Sequence, residues 1–323
     1  MSADSSMPAG VITRDCAEFL RIARASTTDF GPATAKAAFL VAPDGFAHAA
    51  QSASDNRYMA EAEAFDAARA SRQHRDLQRA LSASVPTLCF PGAPDTPDAL
   101  FPNNVFATAR TDARVPGQAP PRLIVGRMRH PVRQREAGRA DIRGFFRDTL
   151  GYAEIDLSDQ PHPCELTGAL VIDRARGLGF CGLSERCDEA GAALMHEAFG
   201  LRATLLFDLA PGEYHTNVVL AVLAGRAALL CPDGFADAAV VEAIAALYAP
   251  NAVLLSSQEK QAFAGNAIAL SEDVVWMSEA AVAGLTPANR SALAGAGFAV
   301  RGVALDAIEA AGGSLRCCVA EIY

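Results

Sequence analysis

Residues 312–323 read GGSLRCCVAEIY, a glycine pair, an arginine and two adjacent cysteines followed by a short apolar tail. An apolar run after a glycine pair reads as a strand leaving a turn. Side chains alternate faces along a strand, so Cys317 and Cys318 would point to opposite sides and only one of them could occupy a given site. The residues alone leave two readings open: one cysteine is a nucleophile, or both are small apolar fillers in a terminal strand.

The same pattern extends upstream. Short apolar runs that end at Gly, Pro or Asp, among them AAFLV (37–41), VFATA (105–109), ALVID (169–173), NVVLAVL (217–223), VVWMS (274–278) and LRCCVAEI (315–322), alternate with Ala-rich stretches. In those stretches, such as SERCDEAGAALMHEAFG (184–200) and VRQREAGRADIRGFFRDTL (132–150), apolar residues recur at three and four, as in helices. Many short strands interleaved with helices define an α/β class. No sequence repeat at a fixed period is visible. Residues 1–36 read as an N-terminal extension with one amphipathic helix around RDCAEFLRIARA, peripheral to any chemistry, and 37–323 as a single catalytic domain.

The chain has 323 residues, of which 51% are apolar and 20% charged, enough to bury a full core. Its net charge of -9 is spread along the chain with no basic stripe, which argues against a nucleic-acid partner. No apolar run reaches the roughly 20 residues needed to cross a bilayer, and MSADSSMPAG lacks the basic start and apolar centre of a secretory signal. The expected location is cytoplasmic. Eight cysteines without a C-x-x-C pair imply reduced, mostly buried thiols and neither a zinc ribbon nor a disulfide scaffold. No phosphate-cradling glycine motif appears, so a nucleotide cofactor has no support.

Several polar residues stand where core strands would exclude them. DALFPNNVFATAR places Asp98, Asn103 and Asn104 around a proline turn at a strand mouth, where a structural turn is the competing reading. PGEYHTNVVLAVL opens another strand with His215 and Asn217 two apart, on one face. HPCELTGALVID sets Glu165 before a third buried run, a costly place for an unpaired carboxylate. GLSERCDEAG reads as a helix entry capped by Ser184, with Arg186 either exposed or functional; in MRHPVRQRE, Arg133 and Arg135 could equally face water.

The elements DALFPNN, MRHPVRQRE, ELTG, GLSER, YHTNV and GGSLRC, in this order, resemble the guanidino-group-modifying superfamily of arginine deiminases, dimethylarginine dimethylaminohydrolases and amidinotransferases. The likeness extends most closely to the bacterial citrulline-utilisation hydrolases, and PDGFAHAAQSASDNRYM is similar to their opening segment. The resemblance implies a five-bladed α/β propeller, the pentein fold, built of ββαβ units around a channel. It favours Cys317 as nucleophile, with His215 as general acid/base and Glu165 beside it. Asn103 and Asn104 would hold the group under attack, Asp98, Arg133 and Arg186 the amino-acid end, and Phe101 and Asn217 would complete the substrate site.

The chemistry implied suits these residue types. A planar, resonance-stabilised guanidinium or ureido carbon demands a strong nucleophile, which a thiolate supplies. His215 would protonate the leaving amine and then activate water against the S-linked intermediate. The resemblance implies no metal and no organic cofactor, a small arginine-like substrate, and room for a homodimer.

Four positions depart from the pattern. Asn104 and Asn217 stand where deiminases carry carboxylates that clamp a cation, and amides suit a neutral ureido group such as citrulline. Leu166 replaces a usual glycine and Cys187 a usual threonine. The leading expectation is hydrolysis of a C–N bond in a ureido or guanidino group. An amidinotransferase and a catalytically inactive binder of arginine-like metabolites stand as alternatives.

Overall fold

The protein's structure, a computed structural model, describes residues 10–110 and 120–323. The strands among them are β1 (Val11–Thr13), β2 (Ala37–Val41), β3 (Thr87–Phe90), β4 (Phe106–Ala109), β5 (Arg122–Val125), β6 (Ala153–Asp156), β7 (Leu170–Asp173) and β8 (Leu178–Leu183). They continue with β9 (Ala203–Asp208), β10 (Leu220–Leu223), β11 (Ala227–Leu230), β12 (Ala252–Leu254), β13 (Ile268–Ala269), β14 (Val274–Ser278), β15 (Ala299–Val303) and β16 (Ala320–Ile322).

These strands sort into five sheets, ordered β16-β2-β3, β4-β5-β6, β1-β9-β8-β7, β10-β11-β12 and β13-β14-β15. One pairing scheme recurs in all five. The middle strand runs antiparallel to the strand before it, as in β4–β5, β7–β8, β10–β11 and β13–β14, with β16 taking that place beside β2. It runs parallel to the strand after it.

A parallel pair needs a crossover, and helices supply it. Ala67–Leu81 links β2 to β3, Glu189–Phe199 links β8 to β9, and Ala238–Tyr248 links β11 to β12. Each begins where an aspartate, Asp66, Asp188 or Asp237, accepts a hydrogen bond from a first-turn amide. Asp188 displaces Ser184 from the expected capping role. Residues 184–187 instead close a tight turn, with the Ser184 and Cys187 backbones bonded to each other, and that turn buries Arg186. The helix expected over 132–150 is a chain of short turns broken after Gly138, where Arg139 is extended.

The strand expectations over 217–223 and 315–322 are corrected in their first halves. Thr216–Val219 and Leu315–Cys318 are single helical turns, and pairing starts only at Leu220 and Ala320. The earlier residues are not paired to a strand, and their amides close locally: Val218 N–H donates to the His215 carbonyl at 3.3 Å and Cys317 N–H to the Ser314 carbonyl at 3.1 Å. Pro102–Asn104 makes the same turn before β4, and Leu166–Ala169 before β7. Ahead of β13, Asn266 N–H closes a turn onto the Phe263 carbonyl at 2.9 Å.

The leading strands lie against one another, β4 against β16 and β10 against both β7 and β13. Residues 11–25, read as part of an extension, join this body. β1 pairs in parallel with β9, and Cys16–Ala25 lays Phe19 and Ala23 into the largest apolar cluster. The eight cysteines are free thiols, six of them buried, with Cys89 exposed and Cys16 half-buried. Among the described residues no helix is long and apolar enough to cross a membrane.

Phe19 is buried and meets Phe180 edge-on with ring centroids 5.4 Å apart. Phe19→Ala should therefore lower the unfolding free energy by about 3 kcal/mol or more, as a core Phe truncation does. Denaturant titration of parent and variant checks this. A loss below about 1 kcal/mol would mean that the N-terminal helix is not part of the core.

Candidate active site

The turns ahead of the leading strands bring the polar residues together. Ser52, Asn56, Met59, Asp98, Phe101, Asn104, Arg133, Arg186, Tyr214, His215, Ala311, Gly313 and Cys317 line a single cleft of about 290 Å³. Asn103, Glu165 and Asn217 do not line it; all three are buried in or beside the turns, and Asn217 lines a separate cavity with Thr167, Arg174 and Arg316.

Glu165 is inaccessible to solvent, and each of its oxygens is matched. Oε1 accepts the Arg129 backbone N–H at 3.0 Å; Oε2 accepts His215 Nε2 at 2.8 Å and Arg186 Nη1 at 3.3 Å. Burial alone would push its pKa up, but the Arg186 guanidinium, the His215 hydrogen bond and the more distant Arg133 hold it well below the usual carboxylate range. An ionised Glu165 only accepts, so Nε2 carries the imidazole proton. His215 Nδ1 then presents a lone pair, and it has no hydrogen-bond partner. Burial pushes His215 below its ordinary range despite Glu165, so the ring is neutral at pH 7.

Gly168 permits this packing. A Cβ there would stand 2.5 Å from Asn104 Oδ1 and 2.8 Å from the His215 ring. Asn104 Oδ1 and Asp98 Oδ1 are likewise buried without partners, while Asp98 Oδ2 accepts the Ser52 hydroxyl at 2.5 Å. Both side-chain ends of Asn103 are unpartnered. The cleft thus presents acceptors ready for N–H donors.

The two arginines are buried, which removes the solvated readings, whereas Arg135 is exposed. Arg133 forms a two-pronged pair with Glu136, both contacts at 2.8 Å, and donates to the Asp98 and Phe101 carbonyls. Burial opposes its charge, and Glu136 more than offsets that. Arg186 grips Asp55 through Nε and Nη2, reaches Glu165 with Nη1, and donates to the Ser52 carbonyl at 3.1 Å. The Tyr214 ring lies under its guanidinium, 5.5 Å to the centroid.

Cys317 Sγ faces this cleft on one side and two asparagine side chains on the other. Asn217 Oδ1 lies 3.8 Å from the sulfur, and Asn266 Nδ2 donates to it at 3.3 Å. Burial raises the thiol above its ordinary range, with the Asn266 hydrogen bond acting against that shift. Cys318 packs in the same apolar cluster but does not line the cleft. Among the described residues no group of three or more His, Cys, Asp or Glu side chains is placed to hold a metal ion.

The chain resembles known proteins along most of its length. A family model described as N,N dimethylarginine dimethylhydrolase, eukaryotic, matches residues 42–323. The chain belongs to this family. Membership places it in the guanidino-group-modifying superfamily to which its motifs pointed. It is 30% identical over 200 residues to the N(G),N(G)-dimethylarginine dimethylaminohydrolase of Mycobacterium tuberculosis (strain ATCC 25618 / H37Rv). That match takes in 62% of this chain and spans 61% of the relative's length.

Solved structures of the superfamily share the fold. The substrate-bound N-terminal domain of ArgZ, an arginine dihydrolase from the ornithine-ammonia cycle in cyanobacteria, superposes with a TM-score of 0.75 at 20% identity, covering 88% of this chain and 97% of that one. Unliganded AgrE gives 0.75 at 20% identity over 89% of this chain and 39% of its own. A dimethylarginine dimethylaminohydrolase adduct with S-methyl-L-thiocitrulline gives 0.63 at 18%, covering 89% and 99%.

Sequence reasoning missed Asp55, Glu136 and Asn266. Asp55 and Glu136 had no signal of their own, because their importance comes from the arginines they meet across the fold. Asn266 had one: it stands two residues ahead of an apolar run, as Asn104 and Gly168 do. The tautomer assignment is directly measurable. Nitrogen-15 NMR of His215 should show a neutral imidazole protonated at Nε2 at pH 7, titrating below its usual 6.5. An imidazolium at pH 7 would contradict the assignment.

Proposed function

We propose that this protein is a cysteine-dependent hydrolase that cleaves a C–N bond in the guanidino or ureido group of an arginine-like amino acid. The observation that carries the reading is the Glu165–His215 bond, which leaves Nδ1 without a partner in the same cleft that Cys317 lines. Family membership and the names of the relatives support it. We also read the five sheets as blades of a propeller, with the single-turn segments at its centre.

In this mechanism the Cys317 thiolate attacks the central carbon, forming a C–S bond and a tetrahedral centre. His215 Nδ1, which has taken up the proton that Cys317 releases on becoming the thiolate, gives that proton to the leaving nitrogen as the C–N bond breaks. Nδ1 then takes a proton from water, whose oxygen attacks the same carbon. The C–S bond breaks and the sulfur leaves as thiolate. Glu165 holds the ring and offsets its charge when it becomes imidazolium.

Asp98 Oδ1 is the unpaired acceptor we assign to the substrate ammonium, with Phe101 walling the slot. Arg133 and Arg186, already engaged by Glu136 and Asp55, supply positive potential for the substrate carboxylate in place of a free fork. Asn103 and Asn104 are assigned to the planar head. Asn104 and Asn217 place neutral amides near the sulfur, which favours a ureido or substituted guanidino group over a clamp for a bare cation.

Arginine, methylated arginines, citrulline, agmatine and N-acylarginines, assayed for ammonia, alkylamine and amino-acid products, test the proposal. At least one ureido or guanidino amino acid should turn over without an added amine, and Cys317→Ser should abolish it. Attack needs the thiolate together with a protonated Nδ1, a form with the same number of protons as the resting thiol and neutral ring, so kcat/KM should rise as pH climbs through the lowered His215 range, stay level, and fall as pH passes the raised Cys317 range. Turnover that depends on an amine acceptor, or that survives Cys317→Ser, would overturn the proposal.

A further inference from the structure

We propose that Asn266 is a positioning residue for the nucleophile: its side-chain amide locks the Cys317 sulfur in place and favours its thiolate by donating a hydrogen bond to it. The inference rests on Cys317 being the nucleophile.

Asn266 is fully buried, and four groups surround its amide. Cys317 backbone N–H donates to Oδ1 at 3.4 Å; Nδ2 donates to the Asn217 carbonyl at 2.9 Å and to Cys317 Sγ at 3.3 Å, with Asn217 Oδ1 at 3.4 Å. A side-chain amide can usually be drawn in either of two flips, but here the neighbours decide. The Asn217 backbone carbonyl can only accept, so Nδ2 must face it, and Oδ1 falls to the Cys317 amide, whose N–H also bonds the Ser314 carbonyl at 3.1 Å. Nδ2 is thereby turned to the sulfur, where an N–H stabilises S⁻ more than S–H.

The backbone is held as tightly as the side chain. The Asn266 carbonyl accepts the Arg316 N–H at 3.4 Å, so one residue grips two successive amides of the cysteine turn. On the other side Gly265 lies so close to Val218 that a Cβ would collide with the Val218 carbonyl oxygen. Asn266 cannot recede from Asn217 or Cys317 without breaking this packing. The sulfur is therefore set between an amide donor, Asn266, and a carbonyl acceptor, Asn217 Oδ1. The acceptor suits the thiol proton, the donor suits the anion, and the balance between them sets how readily the nucleophile forms.

The test reads the sulfur directly. Full-length parent, Asn266→Ala and Asn266→Asp are alkylated with iodoacetamide from pH 6 to pH 11, and the cleaved peptide beginning at Cys317 is quantified by mass spectrometry. Expected is an ordered upward displacement of the Cys317 midpoint, by about one pH unit in the Ala variant, which is about tenfold slower labelling at neutral pH, and further in the Asp variant, where a carboxylate faces the sulfur. Asn266→Asp keeps the side chain's shape, so a misfolded Ala variant still leaves a readout. A buried amide with only a structural role would lower stability without moving the midpoint. An unchanged Cys317 midpoint in the folded variants overturns the inference; retained turnover in Cys317→Ser overturns instead the nucleophile assignment on which it rests.

Discussion

The site depends on a series of side-chain hydrogen bonds that run from one single-turn segment to the next. Thr167 Oγ1 donates to the Asn103 carbonyl at 3.0 Å, Asn217 Nδ2 to the Thr167 carbonyl at 3.1 Å, and Asn266 Nδ2 to the Asn217 carbonyl at 2.9 Å; Asn266 then receives the Cys317 amide. A one-turn helix leaves its carbonyls without intrahelical donors. Three of the turns here supply a short polar side chain to the turn before, and the cysteine turn supplies a backbone amide. Satisfying those buried carbonyls and aligning the reactive groups are therefore one requirement, and every sheet contributes to it through the turn ahead of its leading strand.

Charge is arranged under the same constraint. Glu165 and Asp55 share Arg186, Glu136 takes Arg133, and all but Asp55 are almost wholly excluded from water. Buried ions are tolerated when paired and hydrogen-bonded, and removing one partner of such a pair typically costs about 3–5 kcal/mol. This network fixes the orientation of His215 from behind, while burial keeps the ring neutral. Asp55 belongs to the segment after β2, so the cleft wall that carries Ser52, Asn56 and Met59 is tied to the Glu165–His215 pair through the Arg186 guanidinium.

The α/β class and most strand positions were legible because buried strands are apolar runs bounded by Gly, Pro or Asp. The catalytic candidates were legible through motif order, and the structure brings Cys317, His215, Asp98, Phe101, Asn104, Arg133 and Arg186 to one cleft. The repeated unit was not visible, because what repeats is a backbone path and a polar position. Asn104, Gly168, Asn217, Asn266 and Cys317 hold comparable places with unlike chemistry, so periodicity in residue type is absent. The strand reading of 315–318 failed because alternation says nothing about where pairing stops: the terminal chain joins β2 only from Ala320, although β2 itself runs on to Val41 against β3. Arg186 was ambiguous because Ser184 and Asp188 are both good capping residues, and only the three-dimensional path shows which one starts the helix.

The central claim is that Cys317 carries the covalent intermediate. Rapid acid quench of the enzyme during turnover of its best substrate, followed by sequencing of the peptide that starts at Cys317, tests it most directly. The account predicts a transient adduct with the mass of the transferred carbon group on Cys317, accumulating and decaying with the kinetics of turnover. Full turnover with both Cys317 and Cys318 unmodified, or with the adduct on Cys318, would contradict it.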